Sequence, residues 1–262
     1  PVRGWIDARE ARLLRAEEAR LANRADASLL VSQAEAELFA AQLPPGHKGA
    51  GRVRAMPNGV DCAYFDPACT EPEPQMMACA GPRIIFTGQM DYAPNIAAAE
   101  RLADGLLPAI RAVLPEATAH VVGRNPPARL VQRNGRGGFH VWGGVPDMRS
   151  WLRAADLALV PLSIGRGVQN KVLEAMAMQV PVVLSREAAT GIDARDGRDF
   201  AIAQGDAALA KEALGVLADP GRAGAMGRSA RTFVQDRMSW DAALEPLATL
   251  LGCGSSGALH AA

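Results

Sequence analysis

Residues 165–184 read GRGVQNKVLEAMAMQVPVVL. The run divides in two. Val172, Leu173, Ala175, Met176 and Ala177 recur at helical spacing and mark the buried side of a helix, while VPVVL is short, β-branched and apolar without alternation, as expected of a strand covered on both faces. A helix that delivers the chain into such a strand is a unit of a parallel α/β sheet. This helix opens behind two glycines, Gly165 and Gly167. It then places Lys171 and Glu174 three residues apart, on one face near its first turn.

The same alternation extends to either side. RIIFTG (83–88), TAHVVG (118–123), FHVWGG (139–144) and DLALVPL (156–162) read as strands, as does a short run at 199–203. Helices are expected over about 94–114, in DMRSWLRAA, and from Asp206, Pro220 and Asp241. Strands alternating with helices predict a doubly wound parallel sheet, with ligands at the carboxyl ends of the strands beside the switch point. Gly88, Gly123, Gly143 and Gly144 fall at those ends, where glycine lets a ligand approach the backbone.

Before residue 83 the pattern is thinner. Residues 7–25 are rich in helix formers with charges at i,i+4, which fits a solvated surface helix better than a membrane anchor. SLLVS (28–32) reads as a strand, with Ser32 placed to cap the helix QAEAELFAAQL, and RVRAMPNGVD as a second strand ending in a turn. Strand–helix–strand is too little for a domain. DPACTEPEPQMMACAGP (66–82) reads as a linker, and the last residues, GCGSSGALHAA, as a flexible tail. The chain opens on Pro1 and is expected to be part of a longer gene product.

Bulk composition narrows the function classes. Lys plus Arg number 28 and Asp plus Glu 28, so no net field favours nucleic acid or an anionic membrane. No apolar run reaches the roughly 18–20 residues of a membrane span, and no signal-peptide pattern is seen, so a cytoplasmic location is expected. Cys62, Cys69, Cys79 and Cys253 lack paired zinc or redox spacing. Reduced thiols are expected, with a disulfide among the first three left open. His47, His120, His140 and His260 follow no metal-ligand spacing, and His120 and His140 read as packing residues in strands. No metal is expected.

The chemistry gathers at the helix start. Unpaired N–H groups and the positive end of a dipole make a helix N-terminus a seat for phosphate. A lysine in that first turn opposes the dipole by about 0.3–1 kcal/mol, so its presence at 171 suggests an anion sharing the site. Glu174 cannot serve that anion, but its carboxylate suits a ribose diol. A solvated Lys–Glu pair on a surface helix is the competing reading of these two residues.

With these residues in place, the chain from about 28 to 248 resembles the family 4 (group 1) retaining glycosyltransferases of two-domain GT-B architecture. Six stretches match in order: ADASLLVSQAEAELF, MPNGVDCAYFDP, IIFTGQMDYAPN, VWGGVPDMRSWLRAADLALVPL, NKVLEAMAMQVPVV and LADPGRAGAMGRSARTFVQDRMSW. The wording of TGQMDYAPN and GRGVQNKVLEAMAM is similar to the exosortase-associated sugar transferases of polysaccharide clusters. The resemblance implies retaining transfer of a sugar from a nucleotide donor, UDP- or GDP-linked, to a glycan or lipid-linked acceptor, without a cofactor.

The resemblance also implies roles. Lys171 and Glu174 become the candidate catalytic residues, Lys171 on the diphosphate and Glu174 on the ribose. Gly88, Val145, Gly165, Arg166, Gly167 and Val168 become substrate-binding, with Val145 at the base and the glycines and the amides from Val168 onward around the diphosphate. Two positions depart from the family pattern. Arg166 stands where the first glutamate of a Glu–seven residues–Glu motif belongs, and Gln89 stands where many members carry an arginine. Arg166 is therefore read either as a diphosphate ligand or as a surface arginine.

The expected organisation is a remnant of an acceptor-side domain (1–65), an interdomain linker (66–82), a nucleotide-sugar-binding domain (83–238) and a closing helix with a flexible tail (239–262). Acceptor binding, and peripheral membrane association, would belong to the absent part of the first domain. The alternatives are a non-catalytic nucleotide-binding remnant, a nucleotide-sugar epimerase, which would need acid–base residues the chain does not display, and a nicotinamide-dependent Rossmann protein, which FTGQMDYAP with its single glycine disfavours.

Overall fold

The computed structural model describes residues 2–165 and 167–252. Arg166 and the expected tail, with Cys253 and His260, lie outside the described residues. The chain divides into two compact units, one of residues up to Asn58 with those from Ala243 on, the other Gly59–Ala242.

In the first unit, α1 (Val2–Arg24) precedes β1 (Ser28–Leu30), α2 (Gln33–Gln42) and β2 (Val53–Ala55). The two strands pair in parallel, Ser28 opposite Val53. Ser32 caps α2 as its position predicts, its hydroxyl accepting from the Glu35 N–H at 3.2 Å.

The second unit opens with α3 (Pro74–Met77) and β3 (Arg83–Thr87), then α4 (Ala93–Arg101), α5 (Leu107–Arg111) and β4 (Thr118–Val122). It continues through α6 (Ala128–Val131), β5 (Phe139–Gly143), α7 (Met148–Arg153) and β6 (Leu157–Val160). The opening stretch supplies α8 (Asn170–Ala177) and β7 (Val182–Leu184), followed by β8 (Ala201–Ile202), α9 (Asp206–Leu217) and α10 (Pro220–Arg237). α11 (Trp240–Leu250) carries the chain over the boundary at Ala242.

All six strands of this sheet run parallel in the order β5-β4-β3-β6-β7-β8. The chain starts in the middle at β3, lays β4 and β5 on one side, and returns to lay β6, β7 and β8 on the other. The reversal between β3 and β6 is the switch point, where the crossovers leave in opposite directions and open a crevice. Ile84, Ile85 and Phe86, Leu157–Val160 and Val182–Leu184 are all buried, because helices cover both faces; hence the strands carry no alternation.

Several polar groups fix this frame. Asp156 accepts from the Arg83 backbone N–H at 2.7 Å and from its guanidinium at 3.1 and 3.2 Å, which locks the start of β3 to β6. Beside β4, Trp142 Nε1–H donates to His120 Nδ1 at 3.1 Å, and His120 Nε2 lies 2.9 Å from Thr118 Oγ1, which donates to the Ala80 carbonyl at 2.7 Å. With Nδ1 an acceptor, Nε2 carries the proton. Burial pushes the His120 pKa down to about 3, so the ring stays neutral and serves packing, stacked on His140 at 5.1 Å. Arg231 of α10 donates to Ala177 O at 2.5 Å and Phe65 O at 2.7 Å, holding the C-terminal end of α8. Cys62, Cys69 and Cys79 are free.

Two expectations are corrected. Residues 66–82 are no linker: they pack within the second unit, whose boundary falls at Asn58 and not at residue 65. Their prolines initiate turns. Pro67 and Pro74 stand at first helical positions, capped by Asp66 and Glu73, and Met76 is fully buried. The helix expected over 94–114 is interrupted by a wide π-type turn at Leu102–Leu106 and ends at Arg111. Pro108 is the physical reason, since it donates no N–H and its ring crowds the carbonyl of residue 104.

Candidate functional site

The carboxyl ends of β3, β4 and β5 and the start of α8 enclose a cleft of about 540 Å³, within the range of small-molecule sites. Its floor is formed by α8 and the first turn of α4, its walls by the loops after the three strands. Of the residues singled out in the sequence, Gly88, Gln89, Gly123, Gly144, Val145, Val168, Lys171 and Glu174 line it.

Lys171 reaches from α8 to α4, where its Nζ donates to Asn95 Oδ1 at 2.6 Å and stands 5.3 Å from the centre of the Phe86 ring. Asn95 is itself buried and is oriented by donating Nδ2 to the Gln89 carbonyl at 2.9 Å. Its oxygen is thereby committed to the lysine. Burial pushes the Lys171 pKa down to about 8, with Glu174 partly opposing the shift. Burial likewise pushes the Glu174 carboxyl up, against the pull of Lys171. Both directions have one cause, the partial burial of the two side chains, which disfavours the charged form of each.

The glycines sort differently from expectation. At Gly88 an added Cβ would stand 2.8 Å from Asn95 Nδ2 and 3.3 Å from Lys171 Cε, so the bare backbone makes room for that pair. Gly123 faces Gly88 so closely that a Cβ would lie 1.5 Å from the Gly88 carbonyl oxygen. Gly165 and Gly167, expected around the diphosphate, do not line the cleft. A Cβ on Gly165 would fall 1.8 Å from the Glu187 carbonyl oxygen, so this glycine serves the close approach of the chain to itself; Gly167 adopts φ +63°. Arg166 lies outside the described residues, and Gln89 lines the cleft rim.

Asn95, Arg124, Tyr92 and Met148 also line the cleft and were not read from the sequence. For Asn95 a signal existed. It falls on the buried stripe of its helix with Ala98, Ala99 and Leu102, the one polar member of that run. Arg124 directly follows the glycine that ends a fully buried strand. Among the described residues no three His, Cys, Asp or Glu side chains come together as metal ligands.

Comparison with known proteins bears on what this cleft serves. Residues 81–219, which contain all of it, match the family described as Glycosyl transferases group 1. The chain belongs to that family. Among solved structures, this group 1 glycosyl transferase chain is similar to Anabaena Alr3699/HepE in complex with UDP and glucose, at 17% identity and a TM-score of 0.71, over 91% of this chain and 66% of that one. It is also similar to sucrose-phosphate synthase from Thermosynechococcus elongatus, at 21% identity and a TM-score of 0.68, over 91% of this chain and 61% of that one. A third is WaaG, a glycosyltransferase involved in lipopolysaccharide biosynthesis, at 16% identity and a TM-score of 0.66, over 86% and 62%. These likenesses give the fold, a Rossmann-like α/β unit of the GT-B type. The chain spans less than two thirds of the length of each of these structures. No curated protein matches it. Among the described residues no helix is long and apolar enough to cross a membrane.

Proposed function

We propose that this chain carries the donor-binding half of a retaining sugar transferase, and that the cleft takes the nucleoside diphosphate of a UDP- or GDP-sugar. The observation that supports this most directly is the pair on α8, a half-buried lysine and a half-buried glutamate one turn apart at the switch-point cleft, in a family of glycosyl transferases. In this reading Lys171 and the α8 N-terminus hold the diphosphate, Glu174 accepts hydrogen bonds from the ribose hydroxyls, and the backbone at Val145 meets the base. Gly88 keeps Lys171 and Asn95 together.

The chemistry asked of these groups is leaving-group stabilisation. As the glycosidic bond lengthens, negative charge accumulates on the diphosphate oxygens. A cation and helix amides already oriented toward them act more strongly on that state than on the bound donor. The acceptor is a glycan or a lipid-linked sugar, the product keeps the anomeric configuration of a transferred hexose, and no cofactor takes part. The wording shared with exosortase-associated transferases, and the likeness to a lipopolysaccharide enzyme, favour polysaccharide assembly at the cytoplasmic membrane face. UDP in the solved structure of HepE favours a uridine donor.

Calorimetric titration of the chain with UDP, GDP, ADP and NAD, repeated on Lys171→Ala and Glu174→Ala, tests the proposal. One nucleoside diphosphate should bind, and both substitutions should weaken it. Binding of NAD alone, or of none of the four, would overturn the reading.

A further inference from the structure

A diphosphate brings at least two negative charges, yet Lys171 and Glu174 together leave the floor of the cleft neutral. The remaining cation among the described lining residues is Arg124. It follows β4, on one side of β3, while Lys171 comes from the helix that follows β6, on the other. The two positive side chains therefore flank the switch point.

The surroundings of Arg124 are built to hold it in place and leave its charge unanswered. Its carbonyl accepts from the Met90 N–H at 2.8 Å, which pins the loop after β4 to the loop after β3. Its stem lies over Gly144, where a Cβ would come within 3.0 Å of the arginine Cγ. The carboxylate of the facing loop, Asp91, is taken by Asn125 Nδ2 at 2.8 Å. Among the described residues the Arg124 guanidinium enters no ion pair and no side-chain hydrogen bond, whereas Arg129 and Arg133 of the next turns are paired with Glu100 and Asp104.

We propose that Arg124 is the second diphosphate-binding residue of this cleft, a role that rests on the nucleotide-sugar reading above. Its planar guanidinium presents parallel N–H donors that match two phosphate oxygens at once, a geometry an ammonium lacks. With Arg124 the cleft changes from neutral to net positive, and a nucleoside diphosphate is distinguished from the monophosphate.

The test is titration of the chain, as wild type, Arg124→Gln and Arg124→Lys, with UDP, GDP and ADP and with the three monophosphates, alongside the thermal midpoint. The nucleoside diphosphate that the wild type binds should bind Arg124→Gln about tenfold more weakly, with the monophosphate changed less than about twofold and part of the loss recovered in Arg124→Lys. The midpoint should stay where it is, because the side chain is exposed. Unchanged diphosphate affinity in Arg124→Gln, or equal losses for diphosphate and monophosphate, overturns the role of Arg124 and leaves the nucleotide-sugar reading standing. A wild type that binds none of the nucleoside diphosphates overturns both.

Discussion

The ammonium of Lys171 and the side-chain oxygen of Asn95 meet at 2.6 Å inside the cleft, although 76 positions separate them in the chain. The partner is an amide and not a carboxylate, and that choice has a consequence. A neutral acceptor orients the lysine and leaves its charge available, whereas a carboxylate would orient and neutralise it together. Asn95→Asp should therefore weaken nucleoside diphosphate binding by about tenfold while raising the pKa of Lys171. Titration with UDP and GDP checks the first part; affinity equal to the wild type would refute the argument.

The half-buried lysine also sets a pH dependence. Its pKa in the free chain is pushed down to about 8 by burial, and only the protonated form attracts an anion. A bound diphosphate favours the charged form, so the pKa rises on binding and the complex takes up a proton above neutrality. The affinity should accordingly fall as pH rises through about 8, approaching a tenfold loss per pH unit until the raised pKa of the complex is reached. Burial pushes the carboxyl of Glu174, the other ionisable group of the floor, up against the pull of Lys171. Lys171→Arg should remove the alkaline fall, because guanidinium stays charged. A wild-type affinity flat from pH 7 to 9.5 would show that Lys171 does not meet the anion.

Much of this arrangement was legible in the chain itself. The strands of the sheet declared themselves as short apolar runs between helices, VPVVL most plainly because a parallel strand under two helical layers needs no polar face, and the buried side of α8 followed from spacing alone. The less legible parts share a cause. A glycine that lets a ligand approach and a glycine that lets the chain approach itself are the same letter, so Gly165 was given to the diphosphate when its space is filled by the Glu187 carbonyl. The prolines of 66–82 suggested an extended linker because their positions relative to Asp66 and Glu73, which make them helix starters, gain meaning only once Met76 has a core to enter. Asn95 and Lys171 meet through the crossing of two βα units, a distance that no local pattern encodes.

Glu174 is assigned to the ribose, and a deoxy ligand isolates that claim. If its carboxylate accepts from the ribose hydroxyls, the wild type should prefer the ribonucleoside diphosphate over its 2′-deoxy form by about tenfold, and Glu174→Gln should lose most of that preference. The amide retains shape and one acceptor, so the fold should be undisturbed. The observable is the ratio of the two dissociation constants in each protein, and a ratio that survives the substitution would move Glu174 elsewhere in the mechanism.

Gly88 and Gly165 lie in two loops expected to meet the ligand, yet their surroundings predict different phenotypes. Alanine at 165 would drive a methyl to 1.8 Å from the Glu187 backbone oxygen, which no side-chain rotation relieves. Its effect should be on stability, a loss of about 1–3 kcal/mol as for overpacked sites, with nucleotide affinity retained in the protein that remains folded. Alanine at 88 meets side chains instead, Asn95 Nδ2 at 2.8 Å and Lys171 Cε at 3.3 Å. Those groups can swing aside, but Gly88 also adopts φ +155°, which strains any residue with a Cβ, so the fold loses stability as well, and in addition the Lys171–Asn95 contact is broken and the cation leaves its place. Gly88→Ala should thus lower both stability and nucleotide affinity, and Gly165→Ala stability alone. Paired denaturation and titration measurements on both variants decide the matter, since the same pattern of loss in the two proteins would mean that Gly165, too, belongs to the site.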